Sequence, residues 1–134
     1  MPHVLLFELG GASFALKLAA VDRILAPGES LPAGCRAHEL ADLLERERPV
    51  ERHALILVGG SEALIIGRPE GTIGIEPSWI LPLPGYMFRT RRVPVRGIIE
   101  ITARQAAKGH LGGQPRRSMM IDMDFLLEYG LESC

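Results

Sequence analysis

Short apolar segments that end at glycine or proline are the feature that most constrains the fold of this chain. Its 134 residues include 15 glycines and 10 prolines, so turn signals recur about every ten residues. Apolar runs bounded in this way predict short strands rather than long helices. We therefore expect a mainly β protein with short helices, in which the strands form a small barrel or a pair of barrels.

Two glycine-rich turns predict β-hairpins. The runs 3–9 and 13–18 flank a Gly-Gly pair, and the runs 54–58 and 63–66 flank a Gly-Gly-Ser sequence. Turns of this kind connect antiparallel strands. In the run 13–18, large apolar residues alternate with polar or small ones, which predicts a strand with one buried face.

The rest of the chain predicts further strands and two helices. Leucines at helical spacing in 38–48 predict a helix of about two to three turns. The preceding segment 27–36 is irregular, because glycine and proline interrupt it closely. Strands are predicted at 93–102 and 119–123, and a short helix follows with Asp124 as a candidate N-cap.

The charged residues are unevenly distributed along the chain. The formal net charge is −1, but residues 86–118 contain eight basic residues and one acidic residue. Such an Arg-rich block suits nucleic acid, anionic lipid or an acidic protein surface, and it equally suits a solvated loop and strand face. A small barrel that binds nucleic acid is therefore an alternative function. Single-strand binders also need aromatic stacking surfaces, and only Tyr86 and Phe88 lie near this block.

The sequence predicts no catalytic, cofactor-binding or metal-binding site. The four histidines are scattered without metal-ligand spacing, and no serine lies in a Gly-x-Ser-x-Gly motif. The sequence predicts a cytoplasmic protein with no membrane insertion. Its apolar runs are shorter than the roughly 18 residues that cross a bilayer, and its start lacks the basic leader of a signal peptide. In that compartment we expect Cys35 and Cys134 to be free thiols.

The opening segment carries a resemblance to a known family. Residues 4–25, VLLFELGGASFALKLAAVDRIL, resemble the start of the CheW-like adaptors of bacterial chemosensory systems, and the matching residues are Phe7, Leu9, Gly10, Val21 and Ile24. Three later segments follow in the family's order: LADLL at 40–44, HALILVGGSEALIIG at 53–67 and MMIDMDFLL at 119–127. The resemblance covers nearly the whole chain, so residues 1–134 are expected to form a single CheW-like domain.

This resemblance implies a fold and a function. Family members fold as two small closed β-barrels around a shared apolar core and have no catalytic activity. They bind the cytoplasmic tip of a chemoreceptor and link it to a CheA-like histidine kinase. A groove between the barrels receives the receptor's helical hairpin. The elements that match the family make Val21 and Ile24 the candidate groove residues, and Arg23, Arg68 and Arg96 are candidate partner contacts at its rim.

The chain departs from the family pattern mainly in its first lobe. Arg23 stands where members usually have glutamate, the segment 27–36 is shortened and lacks an Arg-Gly pair, and Gly67 to Gly71 replace a Val-Asp sequence. Charge reversal at an interface rim reduces association rate and specificity. We therefore predict that kinase docking is weak, so that coupling would require another CheW-like adaptor as a partner.

Overall fold

The protein is mainly β and is built on two sheets. The computed structural model describes residues 2–82, 94–102, 104–105 and 115–127. The strands of this part are β1 (His3–Leu9), β2 (Ala12–Lys17), β3 (Val21–Leu25), β4 (Arg36–Glu39), β5 (His53–Leu57), β6 (Glu62–Ile66), β7 (Pro69–Gly74), β8 (Ile80–Leu81), β9 (Val95–Ile101) and β10 (Arg116–Ile121). Two short helices, α1 (Leu40–Leu43) and α2 (Met123–Phe125), and 3₁₀ turns at Leu18–Ala20 and Pro77–Trp79 accompany them.

The six-stranded sheet has the order β7-β1-β2-β10-β9-β8. Its neighbours are antiparallel except β2 and β10, which run parallel. The predicted first hairpin is confirmed, since β1 pairs with β2 from Val4 opposite Lys17 to Leu9 opposite Ala12. Glu70 on β7 accepts a hydrogen bond of 2.7 Å from Arg116 on β10, although two strands lie between them. Side chains stand roughly perpendicular to a flat sheet, so this contact shows that the sheet curls strongly.

The curled sheet is buried on both of its faces. Its inner face holds one cluster, formed by Val4, Leu6, Ala15, Ile73, Ile75, Ile99, Ile101 and Met120. Its outer face contributes Phe7 and Phe14, whose rings stack with centroids 6.0 Å apart, to a larger cluster shared with the other sheet. The prediction of a single buried face for 13–18 is therefore wrong, because Ala15 fills the inside of the curl.

The four-stranded sheet has the order β3-β5-β6-β4, and only β4 and β6 run parallel among its described pairs. The predicted second hairpin is confirmed as β5 and β6. One face adds Leu55, Leu57, Leu64 and Ile66 to the shared cluster, which we call the main core. The other face carries a small cluster of Leu25, Ile56 and Ala63, against which Leu31, Cys35 and Ala54 pack.

The two sheets meet where the end of β6 passes the end of β1. A Cβ atom on Gly67 would lie 2.2 Å from the carbonyl oxygen of Glu8, so a side chain cannot be accommodated there without movement of the backbone. The main core between the sheets confirms the expected shared apolar core. The pairings of the described strands leave each sheet with two edge strands, so these sheets are open layers and not the closed barrels that the resemblance implies.

The predicted helix over 38–48 is mostly wrong. Residues 36–39 instead form β4, which pairs in parallel with β6, and α1 is limited to Leu40–Leu43. The helix ends early because Glu45 adopts a φ of 57° and the N–H of Arg46 bonds to the carbonyl of Ala41 at 2.8 Å. This is the hydrogen bond of a Schellman motif, with glutamate at the position that usually holds glycine.

The predicted C-terminal features are confirmed in part. The strand over 119–123 is β10, which begins earlier at Arg116, and the strand over 93–102 is β9. Asp122 rather than Asp124 caps the short helix, since its Oδ1 accepts a hydrogen bond of 3.2 Å from the N–H of Phe125. Cys35 forms no disulfide among the described residues, and Cys134, the other predicted free thiol, lies outside them.

Candidate functional site

The two predicted groove residues lie on β3, an edge strand of the four-stranded sheet. Val21 is paired with Leu57 and Ile24 with Leu55, and both leucines belong to the main core. Directly paired residues on neighbouring strands point to the same face. Val21 and Ile24 therefore share the face of β3 that is directed toward the main core.

A β-bulge is responsible for this shared face. Residues three apart in a regular strand point to opposite faces. The register of β3 shifts between Val21 and Arg23, which inserts Asp22 as an extra residue and restores Ile24 to the side of Val21. The bulge thus turns a Val-x-x-Ile spacing, which resembles helical spacing in the sequence, into one apolar strip on a strand.

The apolar strip passes from the core to the surface. Val21 is half-buried and packs against the main core, together with Leu18 and Ala20 from the preceding 3₁₀ turn. Ile24 is 39% exposed, which is unusual for an isoleucine on a core-facing side of a sheet. We call Val21 and Ile24 the β3 strip. The β3 strip is an apolar surface at the margin of the main core. An apolar side chain of a partner can pack against it.

The three predicted rim arginines lie on separate elements. Arg23 is paired with Ile56, so it points to the face of β3 opposite to the β3 strip. Arg68 lies between β6 and β7, and its backbone carbonyl accepts a hydrogen bond of 3.2 Å from the backbone N–H of Glu8. Arg96 is exposed on β9 of the other sheet. The structure therefore does not gather these arginines around the β3 strip.

A polar cluster at the opposite edge of the four-stranded sheet was not predicted. Glu62 on β6 accepts a hydrogen bond from Arg36 and is hydrogen-bonded to Nε2 of the buried His38, and both partners lie on β4. The hydrogen bond from Arg36, followed by that from His38, lowers the pKa of Glu62 below its usual 4.5. The cluster ties β4 to its only described neighbour strand. The local sequence does not predict this cluster, because the cluster depends on the parallel register of β4 and β6.

The arginines near α1 also have partners within the chain. Arg48 donates two hydrogen bonds to Asp42, at 3.1 and 2.7 Å, and the hydrogen bond lowers the pKa of Asp42. Arg52 pairs with Glu39, and the guanidinium of Arg46 lies 5.9 Å from the centre of the Phe14 ring. These contacts stabilise the surface around α1 and do not form a patch of one charge sign.

The Arg-rich block is only partly within the described residues. There, Arg116 pairs with Glu70 at 2.7 Å and Arg117 with Glu100 at 3.1 Å. Ion pairing reduces the charge that an arginine offers to phosphates. The two ion pairs therefore favour a structural role for Arg116 and Arg117 over nucleic-acid binding. The predicted stacking residues Tyr86 and Phe88, with Arg89, Arg91 and Arg92, lie outside the described residues.

The described part of the chain contains neither a candidate metal cluster nor a candidate membrane span. Within it, no group of three or more histidine, cysteine, aspartate or glutamate side chains is placed to hold a metal ion. No helix of the described residues has the length and apolar character needed to cross a membrane.

Comparison with known proteins gives a likeness to solved structures but none to protein-family models or curated proteins. No protein-family model matches the sequence, and no curated protein matches it. Among solved structures, the chain is similar to the scaffolding protein TtCheW from Thermoanaerobacter tengcongensis, with a TM-score of 0.68 over 96% of this chain and 89% of that chain. The chain has a CheW-like fold. The sequence identity is 16%, so the likeness concerns the fold alone.

Proposed function

We propose that this CheW-like protein is a noncatalytic adaptor of a bacterial chemosensory complex and binds the cytoplasmic tip of a chemoreceptor. The observation that carries the proposal is the β3 strip, an exposed apolar surface continuous with the main core. The proposal also rests on the likeness to a solved scaffolding protein over almost the whole chain. In the cell, we expect the protein to be cytoplasmic and to lie at receptor arrays.

The chemistry of this recognition is apolar packing. A helix that docks on an apolar groove buries side chains spaced at i, i+3, i+4 and i+7. The β3 strip presents a half-buried valine and a partly exposed isoleucine on one face, which suits contact with such a stripe. Because the strip extends the packed main core, it offers the partner a surface that is already ordered, which reduces the entropy lost on binding.

The central test is the affinity of an Ile24→Glu variant for a receptor cytoplasmic-tip fragment. Ile24 is already 39% exposed, so we expect the variant to fold. A carboxylate buried against an apolar helix without a partner is destabilising by about 2 kcal/mol or more, and we expect at least a tenfold weakening of binding by calorimetry. Val50→Glu is the matched control, because Val50 is fully exposed on the segment before β5. Equal affinities of the two variants would contradict the proposed site.

Val21→Glu gives a second measurement at the same strip. Val21 packs against the main core, so this variant must first be shown to fold by circular dichroism. A folded Val21→Glu protein is expected to lose receptor binding. Unchanged affinity in that folded variant would remove Val21 from the site, while the result for Ile24→Glu would still test the rest of the strip.

Salt dependence separates this proposal from nucleic-acid binding. Binding through phosphate contacts weakens steeply with salt, whereas apolar docking does not. We expect the receptor affinity to change little between low and moderate salt, and we expect no binding to single-stranded nucleic acid. Tight, strongly salt-dependent binding to an oligonucleotide would instead support a role for the Arg-rich block.

Kinase docking is proposed to be weak. The departures from the family pattern lie at Arg23 and in the segment 27–36. Arg23 is exposed on β3, and Leu31 from the shortened segment covers the small cluster on the same face. Both changes therefore alter one surface of the four-stranded sheet. Titration with the regulatory domain of a CheA-like kinase tests this, and an affinity of about 1 μM or tighter would contradict it. Weak binding would imply that a second CheW-like adaptor completes the link.

A further inference from the structure

We draw no further inference here: the strongest candidate, the shallow cleft of about 340 Å³ where the two sheets meet, lined by Gly10, Pro49, Val50, Gly67 and Arg68, is an unpartnered surface beside the fully exposed Val50, and nothing in the structure shows what covers it.

Discussion

The two sheets of this protein are buried to different extents. The six-stranded sheet packs its outer face on the main core and closes its inner face around a second large cluster. The four-stranded sheet shares the main core, but its other face has only a small cluster of three buried residues, covered in part by the irregular segment 26–35. One sheet is thus buried on both sides, and the other is only lightly covered on one side.

The difference in burial suggests different roles for the two sheets, one in stability and the other in partner recognition. The curled sheet buries most of its apolar side chains, and the exposed large one among its described residues is Leu81, which is 44% exposed on the edge strand β8. The four-stranded sheet carries the partly exposed Ile24 at one edge and the polar cluster of Arg36, His38 and Glu62 at the other. We infer that the first sheet supplies most of the folding free energy and that the second presents the docking surface.

The largest expected effect compares two buried leucines. Leu6 lies inside the curled sheet with no exposure, and Leu25 lies in the small cluster with 4% exposure. We expect Leu6→Ala to lower the free energy of unfolding by about 4 kcal/mol and Leu25→Ala by about 2 kcal/mol, because a thinly covered site relaxes more easily around a cavity. Urea denaturation measures both. Equal losses would show that the two sheets contribute alike.

The joint between the sheets is expected to be the next most sensitive position. Gly67→Ala places a methyl group against the backbone of Glu8, and backbone atoms yield less readily than side chains. We expect a loss of about 3 kcal/mol in the free energy of unfolding. Gly60→Ala is the control, since its Cβ meets open space and only the positive φ of 76° opposes it, at about 1 kcal/mol. A Gly67 variant as stable as the control would mean that the sheets can shift apart freely.

The smallest expected effect concerns the polar edge of the four-stranded sheet. The pKa of Glu62 is lowered in the folded protein, so its stabilising contribution is complete above about pH 4.5 and is lost as the pH falls through the lowered value. We expect Glu62→Gln to lower the free energy of unfolding by about 1 kcal/mol near neutral pH. Thermal unfolding should show this difference from wild type shrinking below pH 4.5.

The exposed pair between Asp42 and Arg48 provides the comparison for that measurement. The pKa of Asp42 is also lowered, but its side chain is 52% exposed, so solvent screens the interaction. We expect a smaller effect from Asp42→Asn than from Glu62→Gln. A difference between wild type and Glu62→Gln that stays constant down to pH 3 would show that the charge of Glu62 does not hold β4 against β6.

Local features of the sequence predicted much of the fold. The Gly-Gly pairs at 10–11 and 59–60 identified both hairpins, because glycine at positive φ allows the tight turns that join antiparallel strands. Val21 and Ile24 were identified only through the family resemblance. Their spacing alone is ambiguous, since the bulge at Asp22 that places both on one face has no local signature.

The sequence by itself therefore determined the two glycine turns and the antiparallel strands that flank them, and the tertiary structure decided which faces those strands bury and which further segments pair. Turns depend on the conformations of a few neighbouring residues, so local chemistry is sufficient to locate them. Three features depend on pairing between segments that are distant in the sequence. They are the strand at 36–39, the burial of Ala15 and the contacts of Glu62. Leucines at helical spacing in 38–48 could not reveal that pairing, because parallel register with β6 is a property of the folded sheet and not of the local pattern.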